Sequence, residues 1–213
     1  MKNKLIFFFT ICKNGRFYIS SYKKKFFKIL IYEIYFSIKY FRSGNFIKFR
    51  NSDRKTDTLP CPYYFIHKIS QFVNKRKITN IVDLGSGFGR ITNFLSDTTE
   101  AAISGYEDDK EVCDVSITNR NSDVIIENKD VLNINYKNLT TECFIINDLF
   151  YHVVDLEFLK KKIEAGMNNL NKKYYLIIIN TDEKKINIFN YYKLLKFTIA
   201  GKSRHVRFLA LNN

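Results

Sequence analysis

A chain of 213 residues and 25.3 kDa, 46% hydrophobic and 26% charged, holds apolar material for one domain with an appendage, which excludes wholesale disorder. Its 35 Lys and Arg against 21 Asp and Glu give +14, yet residues 1–50 carry 12 basic residues and one acid, Glu33, whereas residues 51–213 carry 23 and 20. The nearly balanced body excludes a nucleic-acid-binding argument from the overall charge. Cys12, Cys61, Cys113 and Cys143 stand too far apart for a zinc knuckle or a CxxC pair.

In chain order, Lys2 and Lys4 precede an apolar run at 5–12. That run is far shorter than the roughly 20 residues a membrane-spanning helix needs, and no small-x-small cleavage site follows it. Neither a cleaved signal nor a spanning helix is expected. Read as reduced thiols, the cysteines suit a cytoplasmic protein. Residues 22–42 are rich in Phe, Ile, Tyr and Lys and predict a helix. At about 100° per residue, Lys28 and Lys39 share a face while Glu33 and Ser37 lie elsewhere. Three readings stay open for it: a helix that covers the rest of the protein, one lying peripherally on an anionic membrane surface, or one that meets nucleic acid or another partner. Turn-prone polar residues at 43–58 place a boundary between a basic extension, 1–50, and a domain, 51–213.

The body alternates. Helical patterns at 63–74, 90–96, 110–120 and 156–170 interleave with short apolar runs at 78–84, 101–107, 124–128, 143–147 and 174–180. The last is continuously apolar, as parallel strands covered on both faces are. Strand–helix alternation of this kind predicts a parallel sheet in an α/β sandwich. The end differs: 196–200 and 205–211 flank Gly201-Lys202-Ser203 and predict an antiparallel hairpin.

The segment Asp83-Leu84-Gly85-Ser86-Gly87-Phe88-Gly89-Arg90 carries the most information. A strand ends at Leu84 and a helix opens directly after the glycines, so free amides face a turn that a ligand can approach closely. The spacing is G-x-G-x-G, not the G-x-G-x-x-G of dinucleotide folds. Glu107 ends the next strand, where a carboxylate can accept both hydroxyls of a ribose. Asp130 and Val131 follow the third strand, where an acid can accept an adenine amino group.

Together these residues and the terminal hairpin resemble a class I S-adenosylmethionine-dependent methyltransferase over roughly residues 57–211. The resemblance implies a Rossmann-like sandwich with a mostly parallel seven-stranded sheet, and S-adenosyl-L-methionine as cofactor. It assigns the methionine end of the cofactor to Gly85, Ser86, Gly87 and Gly89, with Asp83 supporting the loop. The ribose goes to Glu107 and the adenine to Asp130 and Val131. Thr58-Leu59-Pro60-Cys61-Pro62-Tyr63 is similar to a T-P-x-x-Y-like element that closes over the cofactor in small bacterial members, which implicates Thr58 and Tyr63.

Methyl transfer from a sulfonium is an in-line displacement, in which the protein aligns the partners and supplies a base where the nucleophile carries a proton. The acceptor should lie where the fourth strand ends, at Asn147-Asp148-Leu149-Phe150-Tyr151-His152, with Asn147 itself a cofactor-binding residue beside the glycine loop. Asp148 and His152 are the candidate bases. The edge lacks both prolines of the [DN]-P-P-[FY] pattern of nucleic-acid and glutamine N-methyltransferases. It is nearer to an N-P-F-like variant of small bacterial members associated with surface polysaccharide. Three readings follow: a methyltransferase of a glycan or small-molecule hydroxyl, a protein or nucleic-acid methyltransferase using the basic arm, or a non-catalytic cofactor-binding protein.

Overall fold

The computed structural model describes residues 26–40, 60–168, 173–179, 192–199 and 205–210, together with 48, 52, 53, 55, 56, 58, 185 and 187–189. The apolar run at 5–12, the turn-prone residues 43–45 and the residues between the two terminal strands lie outside the described residues.

Five strands form a parallel sheet: β1 (Asn80–Leu84), β2 (Ala102–Glu107), β3 (Ile125–Asn128), β4 (Cys143–Asn147) and β5 (Tyr175–Ile179). Two antiparallel strands, β6 (Lys193–Ile199) and β7 (His205–Ala210), extend its β5 edge, giving the order β3-β2-β1-β4-β5-β7-β6. The order reverses between β1 and β4, which pair directly at Ile81–Cys143 through Leu84–Ile146. A crevice opens at such a reversal, outside the carboxyl ends of the strands, and ligands of open α/β sheets bind there.

The helices are α1 (Phe26–Lys39), α2 (Tyr63–Arg76), α3 (Arg90–Thr98), α4 (Lys110–Asn119) and α5 (Val153–Asn168). Side chains alternate across a strand, so each central strand feeds two cores. Ile81, Ile103, Ile145 and Ile177 meet α1, α2, α3 and α4 on one face. Val82, Leu84, Phe144, Ile146 and Ile178 meet α5 through Leu156, Leu159, Ile163 and Met167 on the other. Covered on both faces, β4 and β5 carry continuous apolar runs.

α1 belongs to the first of these cores. Ile29 is fully buried and Tyr32 and Phe36 pack against the cluster. Glu33 lies inside with it, and its Oε2 meets Arg90 Nη2 at 2.8 Å. Arg90 also donates to the Cys61 carbonyl at 2.7 Å and lies 3.9 Å above the Tyr63 ring. The Tyr63 amide donates to Glu33 Oε1 at 2.6 Å. One buried ion pair thus ties α1, α2 and the start of α3 together. Both charges are compensated by further polar contacts, as ions withdrawn from water require.

Candidate functional site

β1 ends at Leu84, and the chain turns through Gly85 (φ 79°), Gly87 (φ 56°) and Gly89 (φ 80°) into α3. This left-handed region strains any residue with a Cβ. Space is limiting as well. A Cβ on Gly87 would lie 2.9 Å from Thr58 Cγ2, and one on Gly85 would collide with Leu149 Cδ1. The amides of Gly85 and Ser86 both donate to the Tyr106 carbonyl at 2.9 Å, which fastens the loop to the end of β2. Gly105 allows the fit, since a Cβ there would stand 2.7 Å from Ser86 Cβ.

Glu107 closes the arrangement. Its carboxylate is 1% exposed and accepts from the Gly87 amide at 3.0 Å and the Asp109 amide at 2.9 Å. The acid at the end of the second strand is therefore aimed at the glycine loop 20 residues upstream.

Asp83 is 1% exposed, and neither carboxylate oxygen has a hydrogen-bond partner among the described residues. Burial, and then the Glu107 charge, push its carboxyl up to about 8. Ser86 Oγ, beside it in the loop, is also buried and has no hydrogen-bond partner among the described residues. Unsatisfied buried polar atoms are rare, and two carboxylate oxygens beside a glycine turn are a place where a donor-bearing ligand fits.

The acids beyond β2 and β3 are engaged by a segment that crosses in front of them. Lys55 Nζ lies 2.6 Å from Asp108 Oδ2 and 3.2 Å from Asp130 Oδ1, with its side chain 8% exposed. Lys48 reaches Asp109 and Glu111 at 2.9 and 2.7 Å. Backbone contacts hold the segment down. Lys48 and Thr58 form an antiparallel bridge, as do Lys55 and Phe150. The Thr56 amide donates to the Leu149 carbonyl at 3.3 Å, and its hydroxyl donates to the Asp148 carbonyl. Lys48, Lys55, Thr56 and Thr58 form a strap across the carboxyl edge, from the β2 loop to the β4 loop.

The sequence-derived candidates fall into two groups. Asp83, Gly85, Ser86, Gly87, Gly89 and Glu107 converge on one turn, with the Thr58 methyl above Gly87. Asp130 caps a short 3-10 turn (Val131–Asn133) by accepting from the Leu132 amide at 2.9 Å, in addition to its Lys55 pair. Val131 is buried in the second core. Tyr63 is fully buried among Phe36, Tyr40 and Phe94, and its hydroxyl has no partner among the described residues.

At the acceptor edge Asn147 ends β4, and Asp148 turns out of it with φ 41°. Asp148 Oδ1 accepts from Lys185 Nζ at 3.0 Å, and that lysine's side chain is 8% exposed. His152 is exposed in the turn ahead of α5. Sequence reasoning missed Glu33, Lys55 and Lys185. Glu33 carried a signal, as the sole acid among the first 50 residues. Lys55 and Lys185 carried none among 35 basic residues. Among the described residues no group of His, Cys, Asp and Glu could hold a metal ion.

No family model matches the chain, and no curated protein matches it in sequence. Solved structures do. An RNA methyltransferase from Salinibacter ruber, in complex with S-adenosyl-L-homocysteine, superposes with a TM-score of 0.57 at 14% identity, over 73% of this chain and 95% of that one. The N-methyltransferase NodS from Bradyrhizobium japonicum WM9 gives 0.51 at 9% identity, over 70% and 96%. A SAM-dependent methyltransferase from Aquifex aeolicus gives 0.50 at 13% identity, over 69% and 89%. The likeness is one of fold: the chain has the Rossmann-like fold of class I S-adenosylmethionine-dependent methyltransferases.

Proposed function

We propose that the protein binds S-adenosyl-L-methionine between the glycine loop and the strap, and transfers its methyl group to a hydroxyl of a glycan or small molecule. The observation that carries this reading is the buried carboxylate pair at the glycine loop. Glu107 is fastened to the Gly87 amide, and Asp83 is buried without a hydrogen-bond partner among the described residues. The cofactor fits that chemistry, because its amino group is a cation and its ribose offers two hydroxyls. An ammonium beside Asp83 gives its two oxygens the donors they lack and favours the ionised carboxylate. A carboxylate oxygen accepts more than one hydrogen bond, so Glu107 can hold the loop and a ribose together.

When bound, the cofactor supplies an electrophilic methyl on a sulfonium. The chain's own residues do the rest. The glycine loop fixes the bound group's position, and the strap excludes water above Gly87. His152 is the proton acceptor for a hydroxyl nucleophile at the β4 edge, an imidazole exposed in the turn that follows β4. Asp148, paired to Lys185, holds the left-handed turn that presents this edge.

A second reading has an observation behind it. Lys55 engages Asp108 and Asp130, the second of which the resemblance assigns to the adenine, so a protein that binds cofactor without turnover is the alternative. Incubating the protein and labelled cofactor with fractionated cell extract separates the two. Label in a glycan or small-molecule fraction supports transfer, and loss of transfer in His152→Ala with cofactor affinity unchanged supports the assigned base. Label in protein or nucleic acid would reassign the acceptor. Cofactor binding with no labelled fraction would favour the second reading.

A further inference from the structure

We propose that the outward face of α1 docks on an anionic lipid surface. An ordinary surface helix turns its apolar stripe to the core and its charges to water. α1 does the reverse with its only acid. Glu33 and Ser37 are 4% and 1% exposed and face Arg90. Phe27, Ile31, Ile34, Tyr35 and Ile38 face outward, between 46% and 76% exposed. Their spacing of four, three, one and three residues places them on one stripe of a helix. Lys28 and Lys39 are exposed along one border of that stripe.

Five bulky apolar side chains in one exposed stripe form a patch that marks an interaction surface. Charge selects the occupant. Residues 1–50 hold 12 Lys and Arg, and their single carboxylate is spent on Arg90 inside the core. α1 itself therefore offers Lys28, Lys39 and apolar side chains on its outer face, with Lys39 3.7 Å from Asp97 at the border. Acidic headgroups over an acyl interior complement both features at once. Nucleic acid offers the charge without the apolar interior. A second copy would bring a +14 chain against another. α1 has 14 residues, and among the described residues no helix is long and apolar enough to cross a membrane, so the helix lies in the surface plane.

Flotation of the full chain with phosphatidylcholine vesicles, with and without phosphatidylserine, tests the proposal. The intact protein should float with the serine-containing vesicles and stay partly bound in high salt, since inserted apolar side chains are not screened. The variant Ile31→Glu/Ile38→Glu changes only exposed positions, so its unfolding temperature and its binding of S-adenosylhomocysteine should match the parent. Its vesicle affinity should fall about tenfold or more. Absence of flotation would overturn the proposal. So would a double variant that floats as well as the parent, or complete release by salt, which would make the contact a matter of charge alone. A concentration-dependent dimer that the double variant abolishes, with no vesicle binding, would assign the face to a second copy.

Discussion

Two halves of the carboxyl edge are built in opposite ways. On the β1–β2 side the functional groups lie close in sequence: Asp83 to Glu107 spans two strands, one glycine turn and one helix, and backbone amides supply the contacts. On the β4 side and over the top, the groups arrive from far away. Lys55 meets Asp130 and Lys185 meets Asp148. Local geometry determined by glycine makes the first half a fixed cradle. Side-chain charge pairs make the second half adjustable, since such pairs respond to salt, pH and substitution.

Breaking the cradle should have the largest effect. Gly87→Val forces a branched side chain onto a φ of 56° and into the Thr58 methyl. Binding of S-adenosylhomocysteine should fall below detection by calorimetry, while circular dichroism reports a folded sheet. Glu33→Ala leaves the Arg90 charge buried without its carboxylate, and urea unfolding should show a loss of about 3 kcal/mol. Glu33→Leu/Arg90→Leu should lose less than the single change, because neither charge is then stranded.

Glu107→Ala comes next. It removes the acceptor of two loop amides and of the proposed ribose contacts, so cofactor affinity should fall roughly tenfold or more. Glu107→Gln should fall less, since an amide oxygen still accepts.

Asp83 gives a pH test that distinguishes the cradle from a passive turn. Its folded carboxyl lies at about 8, above its ordinary value of 3.8. Between those values the unfolded chain is ionised while the folded chain keeps its proton, so this group makes stability fall as pH rises from about 4 to about 8. Asp83→Asn should flatten that part of the stability profile, measured by thermal unfolding. A slope unchanged by the substitution would mean the carboxyl is not held neutral.

The smallest effect concerns the strap. Lys55→Ala releases Asp108 and Asp130 from their ammonium. Cofactor affinity at low salt should rise about fivefold, the scale of a single partly exposed ion pair. A fall in affinity would show that Lys55 orients these acids for the cofactor.

Legibility in the sequence follows the same division. The glycine spacing with Asp83 and Glu107 could be read because one turn and two adjacent strands place those residues, and the continuous apolar run of β5 announced a strand covered on both faces. α5 starts at Val153 where the periodicity begins at 156, since Val153, Val154 and Asp155 stay outside the core that Leu156 enters. Helix periodicity made α1 look broadly apolar. Only the tertiary pair with Arg90 reveals that Glu33 marks its inner face. Tyr63 looked like a lid residue from its neighbours in sequence, yet the Arg90 guanidinium above its ring fixes it in the core. Lys55 and Lys185 could not be singled out, because a lysine's role is set by the carboxylates that long-range folding brings to it.

Calorimetric titration of S-adenosylhomocysteine into the full chain at pH 7, repeated in buffers of different ionisation enthalpy, addresses the central claim most directly. Micromolar binding is expected, with release of about one proton per cofactor, because the ammonium group ionises an Asp83 carboxyl that is neutral in the free protein. Absence of binding by a chain that circular dichroism shows to be folded would contradict the account. Binding with no proton released would contradict the role given to Asp83.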